Sequence, residues 1–191
     1  MSIVTITAPA EEPISLAEAR AQCRCGSDED ALLTIYIKAA RRLCENATGR
    51  RLITQTVEER LDAFPDGEAE IRLSATPVQS ITSVKYDLND AEQTMDSGDY
   101  VLDAAAYPGG WLLPAADTDW PMTDDTTNCV RVRYVAGFGA ASAVPEDLKA
   151  WMLLTIGTLF EQRAGVDASG MASALPNRAV DSLLDEWRVW G

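Results

Sequence analysis

An α+β fold is predicted: a helical core of about four helices carrying an inserted small antiparallel β-sheet or barrel. Two patterns point to it. Helix starts and three-to-four-residue apolar spacings fall within residues 1–51 and 140–191, while short β-compatible runs separated by turn signals fill 52–139. A third observation sets the scale. With 191 residues, 47% apolar and 24% charged, the chain is expected to form one domain with an insertion and to bury a core without disulfide or metal staples.

Taken in chain order, Ser15-Leu16-Ala17-Glu18 after Pro13 reads as a capping box, in which the Ser hydroxyl and the Glu carboxylate each satisfy a free backbone amide. It opens a short helix to about Arg24. Ser27-Asp28-Glu29-Asp30 starts a longer one, its acids suited to the positive end of the helix dipole. Leu32, Ile35, Ala39, Leu43 and Ala47 are expected to form its apolar face, with Gly49 just past its end. Strands are expected over 54–61, 71–73, 81–86, 100–102, 111–113 and 130–135, with turns at Phe64–Gly67 and Asp87–Asp90. Helix returns at Pro145-Glu146-Asp147, with Pro at its first position, and runs to about Arg163. Ala164–Pro176, rich in Gly, Ala and Ser, reads as a mobile loop before a last helix from about Arg178 to Val189.

Composition narrows the function. A net charge of −14 works against tight duplex binding, which depends on Lys and Arg neutralising phosphates. There is no histidine, so the usual general base at neutral pH is missing. Cys23, Cys25, Cys44 and Cys129 follow no metal-site spacing and are expected to be reduced thiols, mostly buried. Asp117/Asp119 and Asp124/Asp125 could offer oxygens to calcium, but they match no calcium loop and read better as solvated acidic turns. No phosphate-cradling glycine loop is present, and the Asn46-Ala47-Thr48 sequon falls in a helix. No cofactor is expected. The first residues lack the basic and apolar regions of a secretory signal. The longest apolar run, Trp151–Phe160, is ten residues where a span needs about 20. A protein made in a reducing cytoplasm and not embedded in membrane is expected.

Two features suggest assembly. The chain closes on Leu183-Leu184-Asp185-Glu186-Trp187-Arg188-Val189-Trp190-Gly191, although termini are usually polar and frayed. Trp and Arg are enriched in interfaces, so Leu183, Leu184, Trp187, Arg188 and Trp190 are candidate partner contacts; the alternative is that this end folds back onto its own core. Lys38, Arg41, Arg42, Arg50 and Arg51 place five of the chain's sixteen cations within fourteen residues. Such a patch could meet the acidic face of a neighbour head to tail, a contact type that can close into a ring, or could simply complement the helix end.

Together these segments resemble the head–tail connector (adaptor) family of long-tailed bacteriophages and gene transfer agents. The resemblance runs nearly end to end: Pro13–Ala19, Asp28–Leu33 leading to Ala39-Ala40-Arg41, Thr48–Leu52 and Gln55-Thr56, Leu73–Val78 with Ser83–Tyr86, Val132–Phe138, Val144–Lys149 and Leu183–Arg188. It implies a structural virion protein rather than an enzyme. Family members form a ring, commonly of twelve subunits, beneath the portal protein, extending the DNA channel and giving the tail a platform. The implied partners are the portal, further copies of the chain, and a tail-side neck or tail-terminator protein, with DNA passing through the lumen without tight or sequence-specific binding. The implied location is the head–tail junction of the virion, after synthesis in the host bacterial cytoplasm. On this resemblance 1–51 and 140–191 make the helical connector core and 52–139 a β-rich insertion. Another neck or tail-completion protein is the alternative, and a small carboxylate- or metal-dependent enzyme a remote one.

Overall fold

The computed structural model describes residues 2–105, 109–162 and 178–189. The fold is α+β, with four α-helices and two antiparallel sheets among the described residues. It divides into two compact units, one of Met1–Ala10 with Thr54–Phe138 and one of Glu11–Ile53 with Gly139–Gly191.

In the first unit, β1 (Ser2–Thr7), β2 (Gln55–Leu61), β8 (Val130–Ala136), β4 (Val78–Leu88) and β5 (Ala91–Thr94) form one sheet in that order. A second sheet orders β3 (Ile71–Arg72), β7 (Trp111–Pro114) and β6 (Tyr100–Asp103). β8 alternates strictly. Val130, Val132, Tyr134 and Ala136 point inward and join Val57, Val84, Ile71, Leu73, Leu112 and Trp120 in one core, while Arg131 and Arg133 point outward. Phe64 stacks on Trp120 at 4.8 Å between centroids, and Trp120 Nε1 donates to the Ala69 carbonyl at 2.7 Å. Glu59 is fully buried, so its carboxylate needs donors. The Tyr134 hydroxyl and the Ser74 amide supply them at 2.8 and 3.0 Å, and Tyr134 in turn accepts from the Ala75 amide at 3.0 Å.

Two of these strands are absent from the sequence expectations. β1 pairs with β2 along Ser2–Thr7, so the first residues belong with the sheet and not, as expected, with the helical core. β5 pairs with the end of β4 through a tight turn whose Asn89 and Asp90 have φ of 55° and 60°, the left-handed geometry that suits a two-residue hairpin. Asp124 holds that turn, accepting from the Asn89 and Asp90 amides at 2.9 and 3.0 Å. One of the acids weighed as a calcium ligand therefore serves as a turn cap.

In the second unit, α1 (Leu16–Cys23) opens on the expected capping box, Glu18 N donating to Ser15 Oγ at 3.2 Å and Ser15 N to Glu18 Oε2 at 2.7 Å. A 3-10 turn over Ser27–Glu29 leads into α2 (Asp30–Thr48), which packs against α3 (Glu146–Glu161). Pro145 is the N-cap of α3, one position earlier than expected. The expected last helix is two short pieces, α4 (Arg178–Asp181) and a 3-10 turn over Ser182–Trp187. The loop expected over 164–176 lies outside the described residues.

The expected apolar face of α2 is corrected. The buried stripe is Leu33, Ile37, Ala40, Cys44 and Thr48, whereas Ile35 is 62% and Leu43 46% exposed. Two stripes at helical spacing coexist on α2, and hydropathy alone favours the wrong one. The buried side also takes in Arg41 and Glu45, which are tolerated there because they pair with each other and Arg41 also pairs with Glu12. Among the described residues no helix is long and apolar enough to cross a membrane.

Candidate assembly surface

The end of α2 and the chain terminus meet. Gly49 closes the helix with φ 72°, its amide donating to the Glu45 carbonyl at 2.9 Å. A helix end leaves carbonyls without partners. The Thr48 carbonyl is one, and it accepts from the Val189 amide at 2.9 Å. Arg50 Nε donates to the Trp187 carbonyl at 2.7 Å, with its guanidinium carbon 6.0 Å from the centroid of that indole, within cation–π range. Leu184 is fully buried. As far as Val189 this segment is therefore packed on its own unit, which was the alternative weighed from the sequence.

The ten candidate interface residues separate accordingly. Arg41 lies in an internal ion-pair cluster, its Nε 2.7 Å from Glu12 Oε2 and Nη1 3.1 Å from Glu45 Oε2. Arg51 reaches Glu45 at 3.9 Å, and the other oxygen of Glu45 accepts from the Leu52 amide at 3.1 Å. Leu183, Trp187 and Arg188 are half-buried, and Arg188 sits 3.5 Å from Asp185. Trp190 lies outside the described residues. Of the candidate cations, Lys38 and Arg42 are exposed, and they share the exposed side of α2 with Ile35 and Leu43. That face combines apolar and basic groups. Sequence reading reached the two cations but assigned the two apolar residues to the core.

Charge is divided unevenly. The β-rich unit holds 16 Asp and Glu against 5 Lys and Arg, a net −11, while the helical unit holds 14 against 11, a net −3. Four of the five cations of the β-rich unit are tied into a ladder across one side of its larger sheet: Arg60 and Arg133 on Glu58, and Lys85 and Arg131 on Glu92, with Arg131 also on Asp87. Burial pushes the Glu58 carboxyl up, but hydrogen bonds from Arg133 and Arg60 outweigh it and hold the group below its ordinary value. Hydrogen bonding to Arg131 lowers Asp87 in the same way. The excess of acids over cations leaves this unit with a strong negative field.

None of the four cysteines is in a disulfide; Cys44 and Cys129 are buried and Cys23 and Cys25 half-buried. Burial, and then the neighbouring Glu45, pushes the Cys44 thiol up to about 12, which keeps it protonated and unreactive at neutral pH.

The chain is similar over its full length to chains in three solved structures of gene transfer agent (GTA) particles. Each is 26% identical, with 100% of this chain and 97% of the other covered: the neck of the empty particle computed with C6 symmetry (TM-score 0.81), the virion of the native particle (0.80) and the neck of the native particle computed with C12 symmetry (0.79). No family model matches the chain, and neither does any curated protein. The likeness is thus to structural components of a virion neck, in assemblies of sixfold and twelvefold symmetry.

Proposed function

We propose that this chain is a head–tail connector, a ring of copies bound under the portal that extends the DNA channel and offers the tail its platform. The observation that carries the reading is the full-length likeness to chains from GTA necks computed with C6 and C12 symmetry. A cyclic ring needs heterologous contacts, one patch meeting a different patch on the next copy. The outward face of α2, with Ile35, Lys38, Arg42 and Leu43, is suited to one side of such a contact. It joins an apolar area to cations that an acidic neighbour would attract. Leu183, Trp187 and Arg188 keep part of their surface for the portal or an adjacent subunit, with Trp190 beyond them. Arg41, Arg50 and Arg51 act indirectly, by fixing the shape of the α2 end. The partners are then the portal, a dozen copies of the chain and a tail-side neck protein.

The acidic β-rich unit has a physical use in this reading. A ring of units each carrying −11 would repel the DNA backbone, so DNA passing the lumen would slide and not adhere. The role is structural, at the head–tail junction of a virion assembled in a bacterial cytoplasm.

The test is to mix the protein with the portal protein from its own gene cluster and image the product by electron microscopy. A ring of added density on the tail-facing end of the portal is the expected result. Bare portals beside properly folded protein would refute the connector assignment and favour a neck component farther from the head.

A further inference from the structure

The larger sheet of the β-rich unit is open at both ends, and the two open edges share an unusual property. Among the described residues β1 is bounded by a ladder only on its β2 side, and all six of its residues are exposed, with Ile3 at 38%, Val4 at 41% and Ile6 at 42%. At the other end β5 covers β4 only along Lys85–Leu88, so among the described residues Val78–Ser83 has no strand partner on that side. Neither Ser2–Thr7 nor Val78–Ser83 carries a charged residue, in a unit that holds 21 of them. An unpaired strand edge presents backbone amides and carbonyls as a template for another strand, and folded proteins commonly guard it with charge or proline. Here neither guard is present. Apolar side chains exposed on both faces of β1 add little to the stability of the single chain, whereas cross-strand pairing with a partner would put them to use.

We infer that β1 of one copy pairs with the Val78–Ser83 edge of β4 in the next, joining the larger sheets of neighbouring copies around the ring. This rests on the ring reading above. The occupant is a second copy because similar chains stand in particles of cyclic symmetry, and one sheet supplies the two different edges that a heterologous contact needs. Pairing of β1 with β1 would be isologous and would stop at dimers. Irregularities at Ile6 in β1 and at Gln79 and Thr82 in β4 bend both edges, which confines pairing to a short stretch and works against open-ended sheet growth.

The test is disulfide trapping of the full chain at high concentration, with Val4→Cys and Ser80→Cys combined in a Cys23→Ser, Cys25→Ser background. Within one copy the two positions are separated by three strand spacings, roughly 14 Å, too far to bridge. The expected product under oxidation is a ladder of three or more linked copies, with each single-cysteine control giving none. No ladder, or dimers from Val4→Cys alone, would overturn the inference. As a second measurement, Val4→Lys with Ile6→Lys should leave the fold intact, because both side chains are exposed, and should lower incorporation into portal-bound rings at least about tenfold. Incorporation equal to the parent chain would also overturn it. Failure of the parent chain to join the portal would remove the connector reading, while trapping in solution decides the strand pairing independently.

Discussion

Replacing Leu184 by Ala asks whether the C-terminal segment belongs to the cooperative core. Leu184 is fully buried in the 3-10 turn over Ser182–Trp187, which packs against α2 and α3. The substitution removes three carbons, worth about 2.4 kcal/mol at about 0.8 kcal/mol each. An unfilled cavity adds to this, and Leu-to-Ala changes in cores span about 2–5 kcal/mol, so a loss of about 3 kcal/mol is expected. With a urea slope of about 2 kcal/mol/M for a chain of this size, the midpoint should fall by roughly 1.5 M at unchanged slope. The neighbouring half-buried Leu183 is the control, and Leu183→Ala should cost under about 1 kcal/mol. A Leu184→Ala midpoint within about 0.3 M of the parent would refute the reasoning: the segment would then unfold separately from the helices it covers. If the expected loss appears, truncations of this terminus must stop short of Leu184 before any effect on portal attachment can be read as loss of a contact.

Arg41→Ala should cost about 3–5 kcal/mol, because it leaves Glu12 and Glu45 facing each other without their shared cation, while Lys38→Ala and Arg42→Ala should stay within about 0.5 kcal/mol; chemical denaturation of the three variants checks the contrast. Tyr134→Phe should cost about 1–3 kcal/mol, since the buried Ala75 amide loses its acceptor and Glu59 a donor, and an unchanged melting curve would argue against that network. Gly49→Ala should destabilise by about 1–2 kcal/mol, from the strain of a Cβ at φ 72° and its 3.3 Å approach to Val189 Cβ, and should raise protease sensitivity at the C-terminus. Glu58 is held below its ordinary value of 4.5, so its contribution is fully present above that pH and is lost as pH falls through the lower folded value; thermal melts from pH 7 to 3 should show an acid decline that Glu58→Gln flattens.

Much of the local structure was legible because its causes are local. The Ser15/Glu18 capping box, Gly49 closing α2 and the alternation of Val130–Ala136 each rest on a few adjacent residues satisfying backbone groups or sorting to two faces. β1 was not legible, because Ser2–Thr7 is a strand only by virtue of the β2 edge about fifty residues away. The outward face of α2 was misread for a related reason. Ile35 and Leu43 score as core by hydropathy, yet α3 and the Glu12–Arg41–Glu45 cluster cover the adjacent stripe instead.

The sequence by itself determined the α+β class, the acidic character, the absence of histidine and the presence of both a basic helix end and an aromatic terminus. These are properties of composition and of neighbours in the chain. Only the tertiary structure decided how those features are used: that Arg41 and Arg51 are held within the unit, that Arg50 clasps Trp187, that Lys38 and Arg42 remain outward, and that the excess negative charge collects in the β-rich unit. The physical reason is that burial and charge pairing depend on which distant segments come together, and the free energy of a cation differs more between a buried ion pair and solvent than between any two positions along an isolated helix.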